Sequence, residues 1–214
     1  MNLQQATQKQ KQQTADNVPQ ETLQTMLQAT QSLKDAGIEN NALGKGDRAW
    51  DFTLPNVHGK SVNLQERLKS GPVILSIYRG GWCPYCNLEL NALKQVLPEI
   101  EALGAQLIAL APQLPDRSMD TAEKHQLEFE VLSDVGNVVS REYGLVFTLP
   151  ESLRPIYQQF NLDIAGYNGD DSFELPMPAT YIIAQNSEIV HAFVDADYTV
   201  RMEPSEIIEV LKRL

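Results

Sequence analysis

Residues 73–86 read Val73-Ile74-Leu75-Ser76-Ile77-Tyr78-Arg79-Gly80-Gly81-Trp82-Cys83-Pro84-Tyr85-Cys86, and this stretch decides the fold. Its first half, Val73 to Tyr78, is a nearly continuous apolar run between Gly71-Pro72 and Gly80-Gly81. A half-exposed strand would alternate; an unbroken run suits a strand buried on both faces of a sheet. The second half opens a helix. Leu90, Leu93, Val96-Leu97, Ile100 and Leu103 recur at helical spacing, Gly104 ends them, and Pro98 inside the stripe predicts a kink. Gln106 to Ala111 is then a second apolar strand, closed by Pro112. Strand, helix and strand in this order demand parallel strands joined by a right-handed crossover.

The pattern extends in both directions. Upstream, residues 50–54 and 61–64 flank a turn at 56–60 and read as a β-hairpin. Downstream come a helix over 121–127, a short strand over 130–132 and a short helix over 138–143, with residues 145–174 the least regular part. Residues 179–184 and 189–194 are two strands around a turn at Gln185-Asn186-Ser187, and Pro204 starts a closing helix. The parallel start and the late hairpin together give an α/β fold with a mixed central sheet between helical layers. Residues 1–44 differ in texture. The first 17 form a polar, Gln-rich arm, and Leu23, Met26, Leu27, Thr30 and Leu33 then recur at helical spacing up to Ala36-Gly37. The expected division is an N-terminal helical arm over 1–44 and one domain over 45–214. The apolar stripe of the arm has to be covered, either by the chain's own domain or by a second copy in a homodimer.

Charge and composition exclude several classes of function. The chain has 214 residues, 17 basic against 28 acidic, and a net charge of −11, which repels phosphate backbones and argues against a nucleic-acid partner. No apolar stretch is long enough for a membrane span. The polar N-terminus has no signal-like apolar region, so a cytoplasmic location is expected. The two cysteines of the chain, Cys83 and Cys86, are three positions apart. A structural zinc ion needs about four ligands, and two Cys with scattered His58, His125 and His191 do not offer them. His125 and His191 read as structural or surface residues. Neither a metal nor an organic cofactor is expected. An inert buried pair of thiols is the bland reading; a redox dithiol is the sharper one. A C-x-x-C after a strand places its first sulfur at a helix N-terminus, where orphan N–H groups and the helix dipole favour thiolate. Pro84 fits the first helical turn, since its missing N–H costs nothing there. Cys83 is then the more exposed and more acidic sulfur, Cys86 the more buried. Arg79 either turns toward the thiols and lowers their pKa or stays on the surface.

The segment Tyr-Arg-Gly-Gly-Trp-Cys-Pro-Tyr-Cys-Asn-Leu-Glu-Leu resembles the active-site segment of peroxiredoxin-like proteins of the alkyl hydroperoxide reductase/thiol-specific antioxidant family. Residues 46–54, Leu132-Ser133-Asp134 and residues 175–181 agree with it, so the resemblance covers about 45–214. It implies a thioredoxin-like three-layer α/β/α sandwich. Set against the peroxiredoxin pattern, Cys86 takes the position of the peroxidatic cysteine, with Glu89 three residues on. Cys83 takes that of a threonine, Arg79 that of a proline, and Pro178 that of an arginine. The partners that polarise the peroxide are therefore absent from their usual positions. Set against thioredoxins, Trp82 and a cis-proline at Pro178 face the dithiol, and Met177 offers its backbone to a disulfide partner. The buried aspartate of thioredoxins is replaced by Ile77. The inner Pro-Tyr pair is the one found in glutaredoxins, which use glutathione.

Three functions remain open at this point: a thiol peroxidase cycling Cys83 and Cys86 between dithiol and internal disulfide, a thiol–disulfide oxidoreductase acting on protein or glutathione disulfides, and a non-catalytic redox sensor or binding protein. Position on the helix favours Cys83 for disulfide exchange; alignment with peroxiredoxins favours Cys86 for peroxide. The expected partners are a hydroperoxide or disulfide substrate and thioredoxin or glutathione as reductant.

Overall fold

The computed structural model describes residues 2–214. Two helices come first, α1 (Leu3–Asn17) and α2 (Gln20–Asp35), followed by a 3-10 turn over Ile38–Asn41. Strands β1 (Thr53–Pro55) and β2 (Ser61–Asn63) form the expected antiparallel hairpin, and Asn63 caps the short helix α3 (Leu64–Leu68). The central unit is β3 (Val73–Ile77), α4 (Pro84–Ala102) and β4 (Gln106–Ala111), with β3 and β4 parallel. After it come α5 (Pro115–His125), β5 (Glu130–Ser133), α6 (Val138–Glu142) and β6 (Val146–Thr148). Helices α7 (Arg154–Gln159) and α8 (Ile164–Asn168) lead to β7 (Glu174–Pro176), which pairs with β6. Strands β8 (Ala179–Ile183) and β9 (Ile189–Val194) and helix α9 (Pro204–Leu211) close the chain.

The main sheet runs β5-β4-β3-β8-β9, with β3, β4 and β5 parallel and β8 antiparallel to both β3 and β9. Strand β3 is in the middle, which is why its side chains are apolar without alternation. Val73, Leu75 and Ile77 face one core with Phe52, Leu64, Leu68 and Tyr143; Ile74 faces the other, with Leu93 and Leu97 of α4 and Ile207 and Ile208 of α9. This is the three-layer sandwich expected from the sequence. Helix α4 continues past Pro98 to Ala102.

Two elements differ from their sequence reading. Helix α5 begins at Pro115 rather than at residue 121, because its buried face is made of Ser118, Thr121 and Ala122, which carry no apolar periodicity. The stretch 145–174 is ordered by a third apolar cluster of Leu149, Leu153, Ile156, Tyr157, Ile164 and Leu175. The same cluster takes in Ala29 of α2, with Met26 packed against it. Leu33 of α2 packs on the core beside β3. The arm thus lies on the chain's own domain, and of its stripe Leu27 is left 62% exposed. Glu203 accepts from the Leu3 and Gln4 backbone N–H groups at 3.3 and 2.5 Å, and Lys11 pairs with Asp197 at 3.3 Å. Lys34 pairs with Asp195 at 2.9 Å.

Candidate active site

Strand β3 delivers the site to the N-terminus of α4. Cys83 is the N-cap, Pro84 the first helical residue, and Cys86 follows within the first turn. The turn before them depends on glycine. At Gly80 φ is +148°, and a Cβ there would lie 2.3 Å from the Trp82 indole nitrogen; one on Gly81 would lie 2.1 Å from the Thr121 hydroxyl. The Gly81 N–H donates to the Gln113 side chain at 2.9 Å, which ties the turn to the end of β4.

Both cysteines are free thiols. Their exposures are 1% for Cys83 and 0% for Cys86, so the expected contrast between an open and a buried sulfur is absent. The reason is the arm. Residues of α1 and α2 and Tyr157 of α7 close over Cys83 and leave a cavity of about 530 Å³ beside it. Thr14 of α1 and Tyr85 both line this cavity.

The two sulfurs nevertheless differ in acidity. Burial pushes the Cys83 thiol up, but the hydrogen bond from Cys86 and the charges of Arg79 and Arg201 outweigh it and hold Cys83 down at about 5. The Cys86 backbone N–H adds to this, as helix N-termini do for anions. Burial, together with donation to Cys83 and the nearby Cys83 charge, pushes Cys86 well above an ordinary thiol, against Arg201 and Arg79. Cys83 is therefore the thiolate and Cys86 its proton-bearing neighbour.

Arg79 points at the thiols. It is 2% exposed, and its Nη1 lies 4.0 Å from Cys83 Sγ. Its other end donates to the Tyr157 hydroxyl. The guanidinium sits over three aromatic rings, 4.2 Å from the centroid of Tyr198, 4.9 Å from Trp82 and 5.9 Å from Tyr157. Such contacts hold a cation without neutralising it, so its charge still acts on the sulfur. Trp82 in turn packs edge-on against Tyr157, with centroids 5.8 Å apart.

Glu89 and Arg201 form the second half of the site. They are a fully buried ion pair at 2.7 Å, and Thr180 donates to Glu89 at 3.3 Å. Arg201 Nη2 donates to Cys86 Sγ at 3.4 Å. Burial lifts the Glu89 pKa to about 7 against the pull of Arg201. The sequence reading found no arginine where peroxiredoxins carry theirs, at Pro178. The structure brings one to the dithiol from the loop between β9 and α9. Its sole trace in the sequence is a charged residue between the apolar Val200 and Met202. Tyr157 and Tyr198 likewise lie outside any sequence motif.

Pro178 and Met177 do not match the thioredoxin pattern. Among the described residues no peptide bond is cis, so the expected cis bond before Pro178 is absent. The Met177 N–H is committed to the Leu145 carbonyl at 2.9 Å, and its side chain is buried in the core beside β3. It has no backbone donor left for an incoming disulfide partner. Among the described residues, no group of three or more His, Cys, Asp or Glu is placed to hold a metal. No helix among them is long and apolar enough to cross a membrane. His125 lies against Asn91 at 3.0 Å, away from the sulfurs.

The pattern of the AhpC/TSA family matches residues 45–192. The chain belongs to the AhpC/TSA family. Among similar proteins is the chloroplastic peroxiredoxin Q of Triticum aestivum, 31% identical over 155 residues, 70% of either chain. Peroxiredoxin Bcp of Escherichia coli is 29% identical over 105 residues, 49% of this chain and 67% of that one. The crystal structure of peroxidoxin BcpB from Mycobacterium tuberculosis superposes with a TM-score of 0.63 at 18% identity, covering 80% of this chain and 98% of that one, a likeness of fold. Family membership carries the coarse activity: a thiol peroxidase, an oxidoreductase that reduces peroxides with thiol electrons. The family match begins at residue 45, so the arm that roofs Cys83 lies outside it.

Proposed function

We propose that this chain reduces hydroperoxides through a cycle confined to Cys83 and Cys86, with Cys83 as the attacking sulfur. One observation carries the assignment: of the two sulfurs, Cys83 alone lines the cavity, at the N-cap of α4 with Arg79 Nη1 4.0 Å away. The Cys83 thiolate attacks the terminal peroxide oxygen, breaks the O–O bond and becomes a sulfenic acid, and the departing alkoxide or hydroxide takes a proton. The Cys86 thiol gives up its proton and attacks the sulfenic sulfur, releasing water and leaving the Cys83–Cys86 disulfide. Arg79 and Arg201 stabilise the negative charge throughout. An external thiol, thioredoxin or glutathione, then restores the dithiol, as suits a reducing compartment such as the cytoplasm.

Disulfide exchange on protein substrates is the less supported reading, because Met177 is buried with its N–H engaged. A monomer is favoured over a homodimer, since Met26 and Leu33 of the arm's stripe pack on the chain's own domain. The test is stoichiometric oxidation of the reduced protein by hydrogen peroxide, followed by rapid quench and mass measurement. Cys83→Ser is expected to lose peroxide consumption by at least a hundredfold, and Cys86→Ser to react once and stop as sulfenic acid. Wild-type initial rates in Cys83→Ser would move the nucleophile to Cys86 and overturn the assignment.

A further inference from the structure

The cavity over Cys83 raises the question of what can reach the oxidised site. Its floor is Cys83 and Arg79, both buried, and its roof is α1, through Gln10, Gln13 and Asn17. Cys86 is not part of its lining. A thiol that reduces the disulfide must bring its sulfur into line with one of the two, and Cys83 is the one within reach. A volume of about 530 Å³ lies in the range, about 300–1,000 Å³, that holds small molecules. A folded protein would have to reach Cys83 past α1, whereas a small molecule fits beside it. Leu3 and Gln4 bonded to Glu203, and Lys11 paired with Asp197, keep α1 there.

We infer that the cavity is the binding site for a low-molecular-mass peptidic thiol of the glutathione kind, which reduces the Cys83–Cys86 disulfide directly. This rests on the cycle proposed above. The carboxamides of the roof are neutral groups that can both donate and accept, which suits the amides and carboxylates of a short peptide. Trp82 and Tyr157 supply the apolar wall. In the reaction the incoming thiolate attacks Cys83 Sγ. A mixed disulfide with Cys83 forms, the Cys83–Cys86 bond breaks, and Cys86 leaves with the electron pair and takes a proton. A second thiolate attacks the sulfur of the bound thiol, releasing the small-molecule disulfide and the Cys83 thiolate. Two thiols are oxidised and one protein disulfide is reduced.

The experiment follows only the reductive half-reaction on the full chain, with the disulfide formed by diamide. It is therefore independent of whether peroxide is the oxidant. Reduction is timed with glutathione, with 2-mercaptoethanol and with thioredoxin at equal thiol concentration, in wild type and in Gln13→Trp. Gln13 is an exposed helix residue, so the bulky ring narrows the mouth without entering the core; Asn17→Trp, also exposed, serves as a second variant. The expected results are a mixed disulfide on Cys83, glutathione at least as fast as thioredoxin, and a tenfold or greater loss with glutathione in the variants. Reduction by 2-mercaptoethanol should stay within twofold. Faster reduction by thioredoxin, or a glutathione rate unchanged in both variants, would overturn the inference. Failure of peroxide to form the disulfide would count against the proposed cycle alone.

Discussion

Cys83 and Cys86 are separated by less than one helical turn, and that turn divides their chemistry. With Cys83 held down at about 5, its thiolate fraction is near complete at neutral pH and falls as pH drops through 5. The reaction rate with iodoacetamide or peroxide should follow, flat above about pH 6 and declining about tenfold per pH unit below the midpoint. Arg79→Met removes a buried charge beside Cys83, so the midpoint should move up toward that of an ordinary thiol, as read by thiolate absorbance. A midpoint unmoved by the substitution would leave Cys86 and Arg201 to account for the acidity. The dithiol and its place at a helix start were legible in the sequence, because C-x-x-C after an apolar run is local information. The direction of Arg79 and the burial of Cys83 are not legible there. Both depend on aromatic rings from positions 157 and 198 and on a helix at the far N-terminus.

At the scale of elements, the loop between β9 and α9 does more than connect them. It carries Tyr198 onto Arg79 and Arg201 onto Cys86 and Glu89. It is fastened to the arm by Lys11–Asp197 and Lys34–Asp195, and by Glu39, which accepts from the Ala196 N–H at 2.5 Å. Arg201→Met leaves Glu89 as a buried, unpaired carboxylate. Breaking such a pair costs about 3–5 kcal/mol, so the melting temperature should fall steeply at pH 8. The fall should be smaller at pH 5, where Glu89, already at about 7, binds a proton. A loss equal at both pH values would show that Arg201 acts through packing alone. Leu3 pins α1 from the other side, buried to 1% exposure. Leu3→Ala should cost about 2–5 kcal/mol, and partial release of α1 should speed alkylation of Cys83. Faster melting with unchanged alkylation would mean that α1 does not gate the thiol. The helices and strands concerned were readable from periodicity. The contacts among them were not, because lone charged residues in a loop carry no pattern.

At the scale of the whole molecule, the arm decides how many copies are needed. An apolar stripe at Leu23, Met26, Leu27 and Leu33 gave the sequence a motive for a two-fold homodimer. The fold favours a monomer instead, since Leu33, Met26 and Ala29 pack into two separate clusters of the same chain. The large apolar residues left exposed include Leu27, Trp50 and Val138, which come from α2, the segment before the hairpin and α6. They come from separate segments, and single exposed apolar side chains are ordinary on a protein surface. A net charge of −11 adds repulsion between copies. Sedimentation equilibrium at physiological salt should therefore return the monomer mass of 23.9 kDa, and Leu27→Asp should leave it unchanged. A dimer mass that Leu27→Asp halves would place the interface on α2. The roof over Cys83 would then be held in part by a second copy, and the alkylation rate of Cys83 would depend on protein concentration. A single monomer mass, with an alkylation rate independent of concentration, assigns the roof to the chain itself.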